Sequence, residues 1–566
     1  RSEVENRDLE QLGPLQVLRT FRDDNASLRP LRHRWFSGLL RALCAIGSAT
    51  GEGQVSDAHR SDDLNIMQTL ACSSPTSASI RWRVRDQLLY DRIERTYPEH
   101  HSMTKNTPLF PNMETMHAVE DRLTKTLFQK TKLLTDLSVA PNPPSEQWRI
   151  ELQSFSFAEG LDLEQLMDCV MSSLDDGIVH MTHPGYMGLF NPAPTFPSEC
   201  ADRIASAYNP QICVWSHAPK AVEIEQHVIR QVAARVGLPV GASGHFTSGG
   251  AEANNTAVLC ALTAKNPEYG DIGCDAFQGR PIIYVSKESH LAWLKIAHAT
   301  GIGRSSVRFI STDGEGRMSA SALSDAINTD LAAGNTPVMI AATAGTTNAG
   351  MVDPLLECAE LASGHDIWFH VDAAWGGALI ACPQAASVLN GIEKANSITI
   401  DAHKWFATTM GAGMFLTSRP AILADSLHVT ASYMPESHAE DDFYSNSAQL
   451  SRRFVGLRLL LSLGAAGWNG YAGHVRNALE LADRFVTKMV AHGWSRKNSS
   501  EMAVICLTPP EGSNAVDSYV ERIQRLGRSW VSKAIMEGKP VLRMCITNGR
   551  TSEGDVDELV EQLTSN

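Results

Sequence analysis

The chain has 566 residues, of which 43% are hydrophobic and 20% charged, and its formal net charge at pH 7 is −14. This length allows two or more domains with a large buried core, and the composition is that of an ordinary globular protein. The acidic balance argues against a nucleic-acid-binding protein, and no run of about 18 apolar residues predicts a membrane span.

The first residues and the cysteines are the features from which we predict the cellular compartment. The first residues lack both an initiator Met and the apolar segment of a signal peptide. Eleven cysteines are scattered without a C-x-x-C pair, which is typical of reduced thiols and does not meet the spacing rule for zinc. His180 and His183 lack a third nearby ligand. We therefore expect a cytoplasmic protein without a bound metal.

Four regions follow one another along the chain. Residues 1–105 are polar without sustained periodicity, which predicts a poorly ordered or accessory N-terminal extension. Residues 106–190 are predicted as a helical N-terminal arm, with an amphipathic stretch from about Met113 to Leu137 that ends at a proline-rich break. In residues 191–455, short apolar strands alternate with helical stretches, which indicates a parallel sheet covered on both faces. Residues 456–566 are predicted as a smaller α+β domain.

A glycine-rich turn is the first candidate for binding chemistry. In residues 244–254, GHFTSGGAEAN, a short strand enters a turn of small residues and a helix begins at about Ala251. Gly249 and Gly250 would let the backbone approach an anion, and the helix N-terminus offers free N–H groups. Alone, a simple tight turn is the commoner interpretation, and the segment is neither a Walker loop nor a dinucleotide-binding loop.

Polar residues that could contribute to a binding site follow the next two predicted strands. Ser289 and His290 come after the predicted strand at 282–285, and Thr343 to Thr347 follow the strand at 338–342. A histidine at such a position can lie flat against an aromatic cofactor ring, and a threonine hydroxyl can reach a cofactor oxygen. Taken separately, each could equally be an ordinary turn residue.

An aspartate and a lysine follow two later strands. Asp372 lies at the end of an apolar strand, where doubly wound sheets hold their ligands, although an aspartate there can also cap a helix. Lys404 lies in a His-Lys turn after an alternating strand, although a surface lysine would read the same way. Asp372 precedes Lys404 by 32 positions, which leaves room for one helix and a return strand. Pyridoxal 5′-phosphate requires such a pair, a lysine for its aldehyde and a carboxylate for its pyridine nitrogen.

Together these segments resemble the group II pyridoxal-phosphate-dependent decarboxylases, which include the aromatic-L-amino-acid, glutamate, cysteine-sulfinate, tyrosine and histidine enzymes. The resemblance rests on TSGGAEAN at 247–254, HVDAAWGGA at 370–378 and DAHKW at 401–405, in this order and spacing. It covers residues from about His180 to near the C-terminus. It implies fold type I, with a mainly parallel seven-stranded sheet in the large domain, and a homodimer whose sites both subunits complete.

The resemblance also implies a role for each matching residue. Lys404 would form the Schiff base with the cofactor, Asp372 would pair with the pyridinium nitrogen and His290 would stack on the ring. The remaining cofactor-binding residues would be Gly249, Gly250, Ala251, Thr347, Ala374 and His403. In the family, a mobile loop carries a tyrosine that protonates Cα after CO₂ leaves, and Tyr433 matches it.

The resemblance implies an L-amino acid as substrate, and the sequence defines the side chain of that substrate less well. The segment that lines the substrate side in the family contains Tyr186, Phe190 and Asn191, which fit neither an acidic nor an aromatic side chain decisively. Arg452 and Arg453 could bind a carboxylate or form structural ion pairs. We favour an aromatic substrate and an amine product.

Two alternatives remain open from the sequence. The first is another reaction on the same cofactor: an oxidative decarboxylation that yields an aldehyde, a transamination or another lyase step. The second is a catalytically silent scaffold, against which the presence of Lys404, Asp372, His290 and Tyr433 argues. No nucleic-acid or membrane partner is expected.

Overall fold

The computed structural model of the protein describes residues 107–141, 143–429 and 442–565. The predicted N-terminal extension and the predicted proton donor Tyr433 lie outside these residues. None of the described helices combines the length and apolar character needed to cross a bilayer.

Seven short strands form the central sheet. They are β1 (Ser243–Thr247), β2 (Pro281–Ser286), β3 (Val307–Ile310), β4 (Thr336–Thr343), β5 (Trp368–Asp372), β6 (Ser397–Asp401) and β7 (Gly413–Thr417). Their order across the sheet is β1-β7-β6-β5-β4-β2-β3, and β7 alone runs antiparallel to its neighbours. The prediction of a mainly parallel seven-stranded sheet in an α/β fold is therefore confirmed.

The sheet is buried on both faces because its strands are apolar on both faces. Ile282 and Tyr284 of β2 pack into one hydrophobic cluster, whereas Ile283 and Val285 pack into another on the opposite face. Alternate residues of a strand point to opposite faces, so a continuous apolar run requires a cover on each side. Helices provide that cover.

The helices fall into three groups along the chain. Those of the N-terminal arm are α1 (Met113–Lys132), α2 (Glu146–Ser154) and α3 (Leu163–Gly177). Those around the large sheet are α4 (Phe196–Tyr208), α5 (Pro219–Val236), α6 (Gly250–Lys265), α7 (Tyr269–Ile272), α8 (Ala292–Ala299), α9 (Ala320–Ala332), α10 (Leu355–Gly364), α11 (Ala421–Leu427) and α12 (Phe443–Asn446). Those of the C-terminal region are α13 (Gly456–Ala491), α14 (Val516–Leu526) and α15 (Glu553–Thr564).

The connection between β5 and β6 differs from the expected single helix. It consists of three short 3₁₀ segments, Gly376–Ala381, Ala386–Leu389 and Ile392–Lys394. The first of these presses closely on the sheet, since a Cβ on Gly377 would lie 2.7 Å from Ile400 Cγ1. Such a close approach keeps the end of β5 next to the end of β6.

A second, smaller sheet lies in the C-terminal region. Its strands β8 (Ser495–Arg496), β9 (Val504–Thr508), β10 (Ser532–Met536) and β11 (Lys539–Cys545) are antiparallel, in the order β10-β11-β9-β8. The long helix α13 is interrupted at Gly467, whose φ of 64° is in the left-handed region that glycine tolerates. The smaller sheet shares a hydrophobic cluster with one face of the large sheet.

The N-terminal arm exposes most of its apolar side chains. Helices α1, α2 and α3 contain no buried residue. Phe110 is 89% exposed, Met113 76% and Phe128 62%. An exposed apolar surface of this kind marks an interaction site more often than a solvated face.

Candidate active site

The carboxyl ends of β5 and β6 bring Asp372 and Lys404 to one edge of the sheet. Asp372 is the last residue of β5, and Lys404 lies in the turn that follows β6. The two strands are adjacent and parallel, with Asp372 in register with Thr399. Neighbouring parallel strands open at the same edge, which is where open α/β sheets hold their ligands.

The amine of Lys404 lies between a carboxylate and an aromatic ring. Its Nζ is 3.1 Å from Oδ2 of Asp401 and 5.8 Å from the centre of the Phe190 ring. Asp401 is buried, and its Oδ1 has no hydrogen-bond partner among the described residues. The lysine side chain is still 22% exposed. Its amine is therefore held in place and can still be reached by an aldehyde.

Asp372 is a buried carboxylate that two neutral groups hold. Its Oδ2 accepts a hydrogen bond from Nδ2 of Asn254 at 2.8 Å, and its Oδ1 accepts one from the backbone N–H of Ala374 at 3.2 Å. No ion pair to Asp372 is found among the described residues. The negative charge is thus positioned but not neutralised, as a partner of a protonated ring nitrogen must be.

The glycine turn before α6 leaves space and N–H groups for an anion. Gly249 caps the helix without a side-chain hydrogen bond to its first turn. A Cβ on Gly250 would lie 3.0 Å from Oδ2 of Asp401 and 3.4 Å from Cβ of Ala374. A side chain at this position would fill the space in front of the helix, and its absence leaves a cradle for a phosphate at the positive end of the helix dipole.

Two residues that the sequence analysis missed shape this turn. The hydroxyl of Thr247 donates to the carbonyl of Gly249 at 3.0 Å. Gly413, at the start of β7, pairs in register with both Thr247 and Asp401. A Cβ on Gly413 would lie only 2.6 Å from the carbonyl carbon of Gly249. A glycine that opens a strand opposite a glycine turn is the signal that could have identified it.

The two predicted histidines lie on different sides of this region. His403 is buried, and its Cε1 lies 3.6 Å from the Cβ position of Gly249, so it borders the glycine turn. Its Nδ1 lies 3.0 Å from the carbonyl of Ala412. His290 is exposed beyond β2, where its Nδ1 accepts the N–H of Ala292 at 3.2 Å. An exposed ring at this edge leaves a face free for a cofactor.

Arg543 of β11, which the sequence analysis missed, joins several predicted residues. It is 2% exposed, its Nε donates to the carbonyl of Thr347 at 2.9 Å, and its Nη1 donates to the carbonyl of Gly188. Its Cζ lies 4.8 Å from the centre of the Phe190 ring. The Nη2 atom has no partner among the described residues. A single arginine inside an apolar strand is the sequence signal that was available.

Phe190 belongs to an aromatic stack beside Lys404. Its ring lies 4.5 Å from that of Trp375, which lies 4.9 Å from that of Trp405, and both pairs are stacked. Asn191 contacts Met410 through Nδ2 at 3.3 Å from Sδ. Tyr186 is 3% exposed, and its ring stacks on that of Trp530. Burial raises the pKa of Tyr186 to about 12.

Arg452 forms a structural ion pair, which was one of the two interpretations of this residue from the sequence. Its Nη2 donates to Oε1 of Glu225 at 2.6 Å and to the carbonyl of Phe246 at 2.8 Å. Both charged side chains are almost fully buried. Arg453 is 66% exposed at the surface and 4.0 Å from Asp202.

The residues at this edge fit pyridoxal phosphate. A reachable lysine amine, an uncompensated buried carboxylate and an open glycine turn correspond to the aldehyde, the ring nitrogen and the phosphate of that cofactor. The fold and the site therefore define a pyridoxal-phosphate-dependent enzyme of fold type I.

The family follows from comparison with known proteins. Residues 148–505, more than half of the chain, match the pyridoxal-dependent decarboxylase conserved domain. The protein therefore belongs to the pyridoxal-dependent decarboxylase family and is a pyridoxal-phosphate-dependent carboxy-lyase. The predictions of the family, the cofactor and the enzyme class are confirmed.

Individual relatives and structures agree with this assignment. Tyrosine decarboxylase 2 of Narcissus pseudonarcissus is 27% identical over 415 residues, which cover 70% of this chain and 82% of the relative. 4-Hydroxyphenylacetaldehyde synthase of Rhodiola rosea is 28% identical over 415 residues, covering 71% and 84%. The crystal structure of Oryza sativa TDC with PLP and tryptamine has a TM-score of 0.76 at 24% identity, covering 81% of this chain and 99% of that one. The structural likeness, at this identity, shows a shared fold.

Proposed function

We propose that the protein removes the α-carboxylate of an aromatic L-amino acid and releases the corresponding amine and CO₂. The observation that carries this proposal is the ring of Phe190, 5.8 Å from the amine of Lys404 and backed by the buried, stacked rings of Trp375 and Trp405. An aromatic ring at this position favours a flat apolar side chain over a charged one. Relatives named for tyrosine and a structure that contains tryptamine support the same substrate class.

Pyridoxal phosphate, when bound, supplies an electron-withdrawing ring that takes up the electron pair released as the carboxylate departs. We assign Lys404 to its aldehyde, Asp372 to its ring nitrogen and His290 to its ring face. The other residues that we assign to the cofactor are Gly249, Gly250 and Ala251 at the phosphate, His403 beside it, and Thr347 and Ala374 along the ring.

The chain's own residues orient the substrate and manage one proton. The buried Nη2 of Arg543 has no acceptor among the described residues, and we assign it to the substrate carboxylate. Phe190 and Asn191, together with Tyr186, are proposed to line the substrate side of the site. The bond from Cα to the carboxylate carbon breaks, CO₂ leaves, and Tyr433 delivers a proton to Cα, so that no oxidant is consumed.

The decisive experiment is product analysis with the purified, pyridoxal-phosphate-loaded enzyme. A panel of aromatic, acidic and basic L-amino acids is supplied, and amine and CO₂ are quantified. We expect the wild-type enzyme to form amine and CO₂ from aromatic substrates in a 1:1 ratio. The Lys404→Ala variant is expected to form no amine. Amine formed from acidic or basic substrates alone would refute the aromatic substrate class.

An aldehyde product is the second candidate, since one relative is named as an aldehyde synthase. That reaction consumes O₂ and releases ammonia and peroxide together with CO₂. Peroxide measured in the same assay distinguishes the two reactions. In the family, tyrosine at the matching position favours the amine, so Tyr433→Phe is expected to raise the share of aldehyde.

We also propose that two copies of the chain associate through the N-terminal arm. The support is the exposed apolar surface of the arm, to which Phe110 and Met113 contribute. Light scattering is expected to give the mass of a dimer, and Phe110→Glu with Met113→Glu is expected to give a monomer. Val240→Glu, at a fully exposed loop position, is the matched control. A monomeric wild-type protein would contradict the proposal.

A further inference from the structure

We propose that Asn254, His370 and Thr399 are positioning residues that hold Asp372 as a fixed anion toward the ring nitrogen of the cofactor. This inference rests on the role proposed for Asp372. The three side chains are at most 2% exposed, and none of them was recognised from the sequence. They act through Asp372 and are not assigned any contact with the cofactor or substrate.

A chain of hydrogen bonds connects Asp372 to the far end of β5. Asn254 of α6 donates to Asp372 at 2.8 Å, and Oδ1 of Asn254 lies 2.6 Å from the hydroxyl of Thr399 and 3.0 Å from Nε2 of His370. The Nδ1 of His370 lies 2.8 Å from the hydroxyl oxygen of Ser397. That oxygen in turn lies 2.8 Å from the indole nitrogen of Trp368.

The register of the two strands creates this chain. His370 pairs with Ser397, and Asp372 pairs with Thr399, so that the polar residues of β5 and β6 lie side by side. The first turns of α6 place Asn254 against them. Polar side chains in a fully buried position are costly unless every one of them is paired.

The carboxylate end of the chain determines the directions of the hydrogen bonds. A carboxylate anion only accepts, so the amide nitrogen of Asn254 faces Asp372 and its Oδ1 faces His370. Because that oxygen also only accepts, the neutral imidazole carries its proton on Nε2, which leaves Nδ1 as an acceptor for the hydroxyl proton of Ser397. The indole nitrogen of Trp368 can only donate, and it donates to the same hydroxyl oxygen.

The chain supplies donors without supplying charge. His370 is fully buried, and this burial lowers its pKa to about 4, with the nearby Asp372 opposing the shift. A neutral imidazole and an amide therefore stabilise the anionic form of Asp372 but leave its charge to attract the protonated ring nitrogen. A lysine or arginine in place of Asn254 would neutralise that charge within the protein.

Two variants break the chain at different points. Asn254→Asp replaces the N–H donor with a carboxyl group of the same shape. Like-charge repulsion then disfavours the ionisation of both this group and Asp372. His370→Leu removes both ring nitrogens. His370→Gln is the conservative variant, because its amide retains a donor toward Asn254. Tyr284→Phe is the matched control, since it removes a buried hydrogen bond to Asp330 elsewhere in the same sheet.

The test measures three properties of the full chain: the dissociation constant of pyridoxal phosphate from the reconstituted apoprotein, the visible absorption spectrum of the cofactor attached to Lys404, and the apoprotein Tm. We expect Asn254→Asp and His370→Leu to bind pyridoxal phosphate about tenfold more weakly or worse, since each loses support for a charged group, and to shift the absorption band. His370→Gln is expected to restore most of the affinity. Tyr284→Phe is expected to lower the Tm with an unchanged spectrum and affinity.

The outcomes separate this inference from the proposed role of Asp372. If Asp372→Asn loses the cofactor while Asn254→Asp and His370→Leu retain wild-type affinity and spectrum, the positioning role is overturned. If Asp372→Asn itself binds the cofactor as the wild type does, the role of Asp372 falls instead. Ser397→Ala, which removes a single hydroxyl, replaces His370→Leu if that variant does not fold, and its expected results are the same in direction.

Discussion

Replacing Gly413 with alanine tests the space behind the glycine turn. A Cβ at this position would lie 2.5 Å from Oγ1 of Thr247 and 2.6 Å from the carbonyl carbon of Gly249. Carbon atoms in van der Waals contact are about 3.5–4.0 Å apart, so the added methyl group overlaps Gly249 by roughly 1 Å. The obstructing atom belongs to the backbone of the turn and not to the end of a flexible side chain. The turn itself must therefore move.

Gly413→Ala is consequently expected to weaken cofactor binding more than it weakens folding. Overpacking of this size destabilises a protein by about 1–3 kcal/mol. A displacement of about 1 Å at the N–H groups that would bind phosphate is expected to lower the affinity for pyridoxal phosphate by roughly tenfold or more, because those charge-assisted hydrogen bonds depend on geometry. Titration of the apoprotein measures the affinity, and urea unfolding measures the stability.

Gly464→Ala is the control for this experiment. Gly464 lies in α13, and a Cβ there meets no atom within 4 Å. Alanine at this exposed helical position is expected to add up to about 1 kcal/mol of stability and to leave cofactor affinity unchanged. Wild-type affinity in Gly413→Ala would refute the assignment of the glycine turn to the phosphate.

Two further predictions concern the arginine of β11 and the pH dependence of stability. Arg543→Lys keeps the charge but loses the planar fork that reaches the Thr347 carbonyl and its neighbours, so kcat/KM is expected to fall at least about tenfold, and unchanged kinetics would contradict this. Burial lowers the pKa of His245 and of His370 to about 4 each, whereas the pKa of a histidine in the unfolded chain is about 6.5. Between these two pH values the folded state binds fewer protons than the unfolded state. The free energy of unfolding therefore falls by about 1.4 kcal/mol per histidine for each pH unit from 6.5 down to 4. Burial raises the pKa of Asp353 to about 6. Between about pH 4 and 6 this shift offsets the loss of stability caused by one histidine, but it does not offset the loss caused by both. A urea midpoint that does not fall with decreasing pH in this range would show that the histidines do not titrate as described.

The sheet and its edge could be predicted because their signals are local. Apolar runs bounded by polar turns predict buried parallel strands, and three of these runs correspond to β2, β4 and β5. Since the carboxyl ends of such strands share an edge, residues that follow them in the sequence, such as Asp372, could be grouped in space before any coordinates were known. The short strands β8 and β10 have mostly exposed or partly exposed residues. Neither strand contains an apolar run from which it could be predicted.

Contacts between distant segments could not be predicted in this way. Arg543 meets Thr347 across 196 positions of the chain, and Asn254 meets Asp372 across 118. Neither contact follows from the pattern of the residues around it, because each depends on how two separate elements pack. A lone polar residue inside an apolar segment shows that a partner must exist, but not which residue it is.

The partners of two neighbouring aspartates give the physical basis for the different roles that we propose for them. Asp401 ends β6 beside Lys404, and its carboxylate pairs directly with that amine. Asp372 ends β5, and the described groups that donate hydrogen bonds to it are neutral N–H groups. A carboxylate already paired with a cation has little charge left to attract a second one, whereas an anion held by neutral donors keeps its full attraction for a protonated ring. The position of each aspartate at a strand end is the same, so the neighbours, and above all the uncharged amide of Asn254, support our proposal that Asp372 rather than Asp401 is the partner of the cofactor nitrogen.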